Sequence, residues 1–254
     1  MIAAAALCPA PPLLARELTG QADVVPELRA ACAAAVRRLV ATAPDEIVIV
    51  GPGELTATWT GDDRVNLAVY APALALRSAP DSDKSAAADG QPELPLSLVL
   101  GARLLAEAGY LGPRGLWSVT GSAPPDECAR IGRDLAAPAE RVALLVMGDG
   151  SARRSVSAPG YLDERAGPFD AEVERAVRDL DLDALAALDP ALAADLLVSG
   201  RPAWQVLAAA LGATRSGAAP GSAGGRAAGG GLRPEILYSG APFGVGYLVA
   251  VLTG

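Results

Sequence analysis

The segment RVALLVMGDGS, running from Arg141 to Ser151, decides the fold. Between Val142 and Met147 no polar side chain interrupts the run. A strand with one wet face would alternate apolar and polar residues, so this one is read as buried on both faces. The Gly148-Asp149-Gly150 turn that follows stops it abruptly. Strands of this kind belong to mostly parallel sheets covered by helices on either side.

Outward from this strand the chain alternates in the same sense. Upstream, Pro125 to Leu135 reads as a helix, Leu116–Val119 as a strand, and Leu96 to Ala108 as a helix closed by Gly109 at its C′ position. A Ser/Asp/Ala-rich loop is expected from Ser78 to Glu93. Glu46–Val50, EIVIV, predicts a second buried strand ending in a Gly51-Pro52-Gly53 turn. Pro26 to Thr42 places Leu28, Cys32, Val36 and Leu39 on one helical stripe, and Ile2–Leu7 opens the chain as a strand. Downstream, Phe169 to Leu180, Leu182 to Leu188, Pro190 to Leu197 and Arg201 to Leu211 read as successive helices, with Asp189 as the N-cap before Pro190.

Glu235–Tyr238 and Val245–Leu252 return to strand character. The intervening tract from Gly212 to Gly231 is too poor in large apolar groups to pack and predicts a mobile loop inserted in the domain. The fold class expected is therefore a single α/β domain, residues 1–254, with a mostly parallel central sheet flanked by helices on both faces.

Composition narrows the function. A formal charge of −8 disfavours nucleic acid and anionic lipid, which both require a concentrated basic surface. Every apolar stretch is broken before the roughly 18 residues a membrane helix needs, and the opening alanines lack a basic n-region. Cys8, Cys32 and Cys128 are odd in number and widely spaced, which suits reduced thiols. A soluble, cytoplasmic protein with a small-molecule or protein partner is expected.

In parallel sheets ligands sit beyond the carboxyl ends of strands. That geometry selects Cys8-Pro9-Ala10, Gly51-Pro52-Gly53-Glu54 and Gly148-Asp149-Gly150-Ser151, with Glu54 and Asp149 as the polar candidates for catalysis. Glu54 is either a solvated strand-end residue or a pocket carboxylate, and Asp149 either caps its turn or acts as acid or base. Arg153 and Arg154 form either a carboxylate- or phosphate-binding pair or a solvated one. Tyr161 either closes over the pocket or packs, and Trp117 and Trp204 are expected in the core. Neither glycine turn has the spacing of a dinucleotide or P-loop motif, although GDGS can form an anion-binding nest.

At these same places the chain resembles the class III extradiol ring-cleavage dioxygenase (LigB-like) family and its relatives, the Memo proteins. CPAPPLL (8–14) resembles the first-strand motif, with Ala10 where the family has histidine. GPGE (51–54) resembles GPSH, which puts Glu54 at a histidine position, and MGDGSARR (147–154) resembles S-D-x-S-H, with Ala152 at another. SGRPAWQVLAAAL (199–211) resembles C-G-x-x-P-x-x-x-L-L, with Ser199 at the cysteine, and GVGYLVA (244–250) resembles the terminal V-S-Y-A-A strand. The resemblance implies a pocket formed by Ala10, Glu54, Ser151, Ala152 and Ser199. It also implies an Fe(II) cofactor held by two histidines and a carboxylate, and a partner subunit; a small aromatic or acidic ligand and a homo-oligomer are kept beside these as expectations for this chain.

The chain contains no histidine. The facial triad that the resemblance implies cannot be built, so no cofactor is expected and no residue is assigned as a metal ligand. Serine and cysteine triads, H-E-x-x-H sites and imidazole acid–base chemistry fall with it. Two readings stay open. One is a family relative that has lost ring cleavage and keeps a small-molecule pocket or a subunit role. The other is an active oxidoreductase using a non-histidine metal site or metal-free carboxylate chemistry.

Overall fold

A computed structural model describes residues 1–19, 23–59, 94–137, 140–216 and 231–254. Its strands are β1 (Ile2–Cys8), β2 (Glu46–Gly53), β3 (Ala57–Trp59), β4 (Arg114–Thr120), β5 (Val142–Met147), β6 (Arg233–Gly240) and β7 (Tyr247–Thr253). They form one sheet in the order β3-β4-β2-β5-β1-β7-β6. The inner strands β4, β2, β5 and β1 run parallel, while β3 pairs antiparallel with β4 and the β7–β6 pair adds antiparallel to β1. The expected α/β class, with a mostly parallel core, is what the chain adopts.

The helices are α1 (Arg16–Thr19), α2 (Pro26–Ala41), α3 (Leu96–Glu107), α4 (Pro125–Ala136), α5 (Ala166–Asp179), α6 (Leu182–Ala186), α7 (Pro190–Asp195) and α8 (Arg201–Ser216). They divide between the two faces of the sheet. Leu145 and Met147 of β5 join residues of α2 and α3 in one core, while Leu144 and Val146 join residues of α4, α5 and α8 in the other. Leu144 and Leu145 are both 0% exposed, which is why β5 reads as an unbroken apolar run. Each such side chain contributes about 1.5–3 kcal/mol relative to leaving it in water. Among the described residues no helix is long and apolar enough to cross a membrane.

Helix ends follow the local chemistry. Asp189 accepts from the N–H groups of Ala191 and Leu192, and Gly109 adopts φ +77° after α3. Two expectations need correction. Gly51-Pro52-Gly53 is not a turn: it continues β2, paired with Ser118, Val119 and Thr120 of β4. Pairing with β5 has already ended at Val50↔Val146, so that side is an edge, and a proline there removes no ladder hydrogen bond. The tract expected as a loop from Gly212 is helical through Ser216. Thr214 anchors that turn by accepting from the N–H of Ile2 at 3.2 Å and donating to the carbonyl of Ala210. Residues 217–230 of the tract, and the loop expected at 78–93, lie outside the described residues.

Candidate functional site

The strand register sets the site. Cys8 is level with Met147, and Val50 pairs with Val146, so β1, β2 and β5 release their chains at one edge of the sheet. The N–H of Gly148 still bonds the carbonyl of Cys8 at 3.0 Å. β7 arrives from the opposite direction, its pairing with β1 running from Ala5↔Leu252 to Leu7↔Ala250, and Tyr247 opens this strand. Ser199 and Gly200 come in beneath them at the start of α8, where the N–H of Gly200 donates to the carbonyl of Asp149 at 2.9 Å. Gly148 and Gly200 touch backbone to backbone, so a Cβ at position 148 has no room.

Asp149 is the polar centre of this cluster. Its Oδ1 accepts the Ala10 N–H at 2.7 Å, and its own N–H donates to Ser199 Oγ at 3.0 Å. By accessible area the residue is only half-buried. The protein packed around its carboxylate nevertheless removes most of its hydration. That burial pushes its pKa up to about 6, against the lesser opposing pull of the Ala10 N–H. The Tyr247 phenol is held well above its ordinary value, first by burial and then by the nearby Asp149 charge.

Behind Asp149 a second carboxylate organises the loop. Asp170, on α5, accepts the Ser151 N–H on Oδ1 at 2.9 Å and pairs with Arg154 through Oδ2 at 2.8 Å. Burial raises its pKa and both partners lower it. Gly150 donates to the carbonyl of Gly246, and Gly246 donates back to the carbonyl of Ser151, each at 2.8 Å. A Cβ on Gly246 would collide with the Asp170 carboxylate. Ser151 is buried and fully engaged: its Oγ donates to the carbonyl of Leu196 and accepts from the N–H of Arg153. Ala152 stands half-buried on the same turn and offers only a methyl group. Arg153 Nε is buried with no hydrogen-bond acceptor among the described residues.

Beside this turn lies an open depression of about 300 Å³, counting space shared with solvent. Arg154, Asp170, Glu174, Ser239, Trp204 and Tyr247 are among the residues that line it. Its charged groups are already satisfied. Glu174 accepts from Ser239 Oγ and pairs with Arg178, while Arg154 belongs to Asp170.

Of the residues selected by sequence, Ala10, Asp149, Ser151, Ala152 and Ser199 meet at this edge. Glu54 makes no hydrogen bond or ion pair with them among the described residues. It is exposed beyond the segment of β2 that leans on β4. Tyr161 neither closes over the cluster nor packs: it is 75% exposed, with φ +58°. Arg153 and Arg154 are not a matched pair: among the described residues Arg154 forms an ion pair, with Asp170, and Arg153 forms none. Trp204 is in the core and Trp117 is packed against it. Sequence reasoning missed Asp170 and Arg201. Arg201 is 1% exposed and bonds the carbonyls of Ala123 and Gly121, both at 2.6 Å. A charged residue opening a helix gives no sign in sequence that it will turn inward.

These donors do not fit the iron that the resemblance implies. Ala10 and Ala152 present methyl groups, Ser199 Oγ is occupied by the Asp149 N–H, and among the described residues Asp149 is the one carboxylate that joins Ala10 and Ser199. Among the described residues no group of three or more cysteine, aspartate or glutamate side chains is arranged to hold a metal ion.

In comparisons with known proteins, the chain is similar to the uncharacterized protein JW3007 from Escherichia coli K12. The likeness spans 99% of this chain and 100% of that one, with 17% identity and a TM-score of 0.52. The two share a fold. No family model matches the sequence, and no curated protein matches it either.

Proposed function

We propose that this chain is a divergent relative of the class III extradiol ring-cleavage dioxygenases. On this reading it binds a small molecule at the carboxyl ends of β1 and β5 and no longer performs iron-dependent ring cleavage. The observation that carries the reading is the junction of Ala10, Asp149 and Ser199 through two hydrogen bonds, 2.7 and 3.0 Å long. Three of the segments that the resemblance equates with metal and proton-transfer positions, those of Ala10, Ala152 and Ser199, come together without Glu54, and they bring methyls, a hydroxyl and the Asp149 carboxylate. Binding needs only a shaped, partly dehydrated polar group, whereas oxygen activation needs a ligand set that these side chains lack.

A second reading is metal-free acid–base catalysis by Asp149. It is favoured by the burial that moves this carboxyl to about 6, close to where a general acid or base works best at neutral pH.

The test is elemental analysis of protein purified without a metal-affinity step, beside a catechol ring-opening assay with added ferrous ion. The expected result is no stoichiometric iron and no ring cleavage. Stoichiometric iron with turnover would overturn the first reading. Turnover of an aromatic substrate that survives chelators and disappears in Asp149→Asn would favour the second.

A further inference from the structure

We infer that the Asp149 site takes a small organic cation, a protonated amine on a short apolar or aromatic body, and not an anionic ligand; this rests on the small-molecule reading of that site. The carboxylate has two oxygens in unequal situations. Oδ1 is committed to the Ala10 N–H at 2.7 Å. Oδ2 receives no donor among the described residues, and it is not sealed in, since it is absent from the buried atoms left without a partner. Nor does any arginine or lysine of the described residues form an ion pair with Asp149. The forces acting on its charge are burial and one N–H.

A carboxylate so enclosed and so little compensated attracts a charge of opposite sign and repels one of the same sign. An ammonium group supplies several N–H donors and a full positive charge at the oxygen that lacks both. The surroundings reinforce the sign. Tyr247 feels the Asp149 charge and also lines the depression, together with Asp170 and Glu174. The Arg154 and Arg178 charges on that side are already paired with Asp170 and Glu174. Arg153 is turned away, its stem against Gly160 and its charge acting on Asp163. An incoming carboxylate or phosphate would find no free cation facing Asp149 among the described residues. Ala10, which donates its N–H to the carboxylate, and Tyr247, whose phenol feels its charge, bring a methyl-bearing and an aromatic residue to this end of the sheet, which suits an apolar body behind the ammonium.

The groups facing Asp149 keep the charge pattern simple near neutrality. From β7 comes Tyr247, whose proton is retained. Ala10 and Ser199, from the remaining two segments, carry no charge.

The experiment uses the full chain and three matched probes: 2-phenylethylamine, 2-phenylethanol and 3-phenylpropanoate, with binding measured by calorimetry at pH 7.5. The amine is expected to bind and the carboxylate not to. In Asp149→Asn the amine should weaken at least tenfold. In the unsubstituted protein its affinity should fall about tenfold between pH 7.5 and pH 5.0, as a carboxyl titrating near 6 takes up its proton. This pH series does not depend on the variant folding. Amine affinity indifferent to both pH and Asp149→Asn overturns the inference. If the alcohol or the carboxylate binds more tightly than the amine and is lost in Asp149→Asn, the cation class falls while the small-molecule site stands. If none of the three binds and a broader thermal-shift screen finds no compound sensitive to Asp149→Asn, the reading of the site falls with it.

Discussion

The backbone N–H of Ala10 donates to Asp149 Oδ1 across 2.7 Å, and this bond ties together the ends of two neighbouring strands whose residues are 139 apart in sequence. It holds in place a carboxylate that burial has made reluctant to ionise, with a pKa of about 6 against an ordinary 3.8. Between these values the folded chain binds more protons than the unfolded one, so this group makes stability fall as pH rises from about 4 to about 6. Asp149→Asn removes the charge and keeps an acceptor for Ala10. It is expected to stabilise the protein at pH 8 by on the order of 3 kcal/mol, with the gain vanishing below about pH 4. Urea denaturation at the two pH values checks this; destabilisation at pH 8 would contradict it.

Asp170 and Gly246 make a coupled pair. A methyl at position 246 would overlap the Asp170 carboxylate, and that carboxylate is fixed by the Ser151 N–H and Arg154. Gly246→Ala is expected to destabilise by about 1–3 kcal/mol, the usual cost of forcing atoms into a packed site. Asp170→Ala alone should also destabilise, by about 1–3 kcal/mol, because the Ser151 N–H loses its acceptor. The double variant should lose less than the sum of the two. Strict additivity in a double-mutant cycle would mean that the two residues do not meet.

Arg201 is a buried cation with no carboxylate in ion-pair distance among the described residues. It is held by the carbonyls of Gly121 and Ala123 and by Gln205 Oε1 at 2.8 Å. Burial lowers its pKa, which records the cost of keeping it charged there. Arg201→Ala strands two carbonyls and opens a cavity, and a loss of about 3–5 kcal/mol is expected. Arg201→Lys should recover little, since a single ammonium does not reproduce the fork that spans both carbonyls. Full stability in the lysine variant would show that charge, and not geometry, is what this position requires.

Cys8, Cys32 and Cys128 are free and buried. Burial pushes the Cys128 thiol up to about 11, and Cys8 is raised by its Cys32 neighbour and by burial. A thiol reagent at neutral pH should leave the native chain unlabelled and modify all three cysteines in denaturant. Rapid labelling of the native protein, read by mass spectrometry, would place at least one thiol in a segment that opens.

Much of the architecture is legible because burial and periodicity speak locally. β5 and β2 announce themselves as apolar runs, α2 and α4 as helical stripes, and Asp189 as a cap. β3 escaped notice because Ala57–Trp59 is three residues long, and its strand character depends on β4: Trp59 Nε1 bonds Ser118 Oγ at 2.8 Å, a contact from a distant segment. Gly51-Pro52-Gly53 has the residues of a turn, and only the presence of β4 on one side and the departure of β5 on the other make it a strand.

The site divides in the same way. By itself the sequence determined that histidine chemistry is absent, that the sheet is mostly parallel, and that Ala10, Asp149 and Ser199 stand at element ends, because composition and hydrophobic period are properties of short segments. Tertiary structure alone decided that Asp149 meets Ala10 and Ser199 while Glu54 stays in solvent, that Asp170 anchors the turn, and that Arg201 points inward. Those outcomes depend on strand register and on how water is excluded by residues far apart in the chain, and no local pattern encodes either.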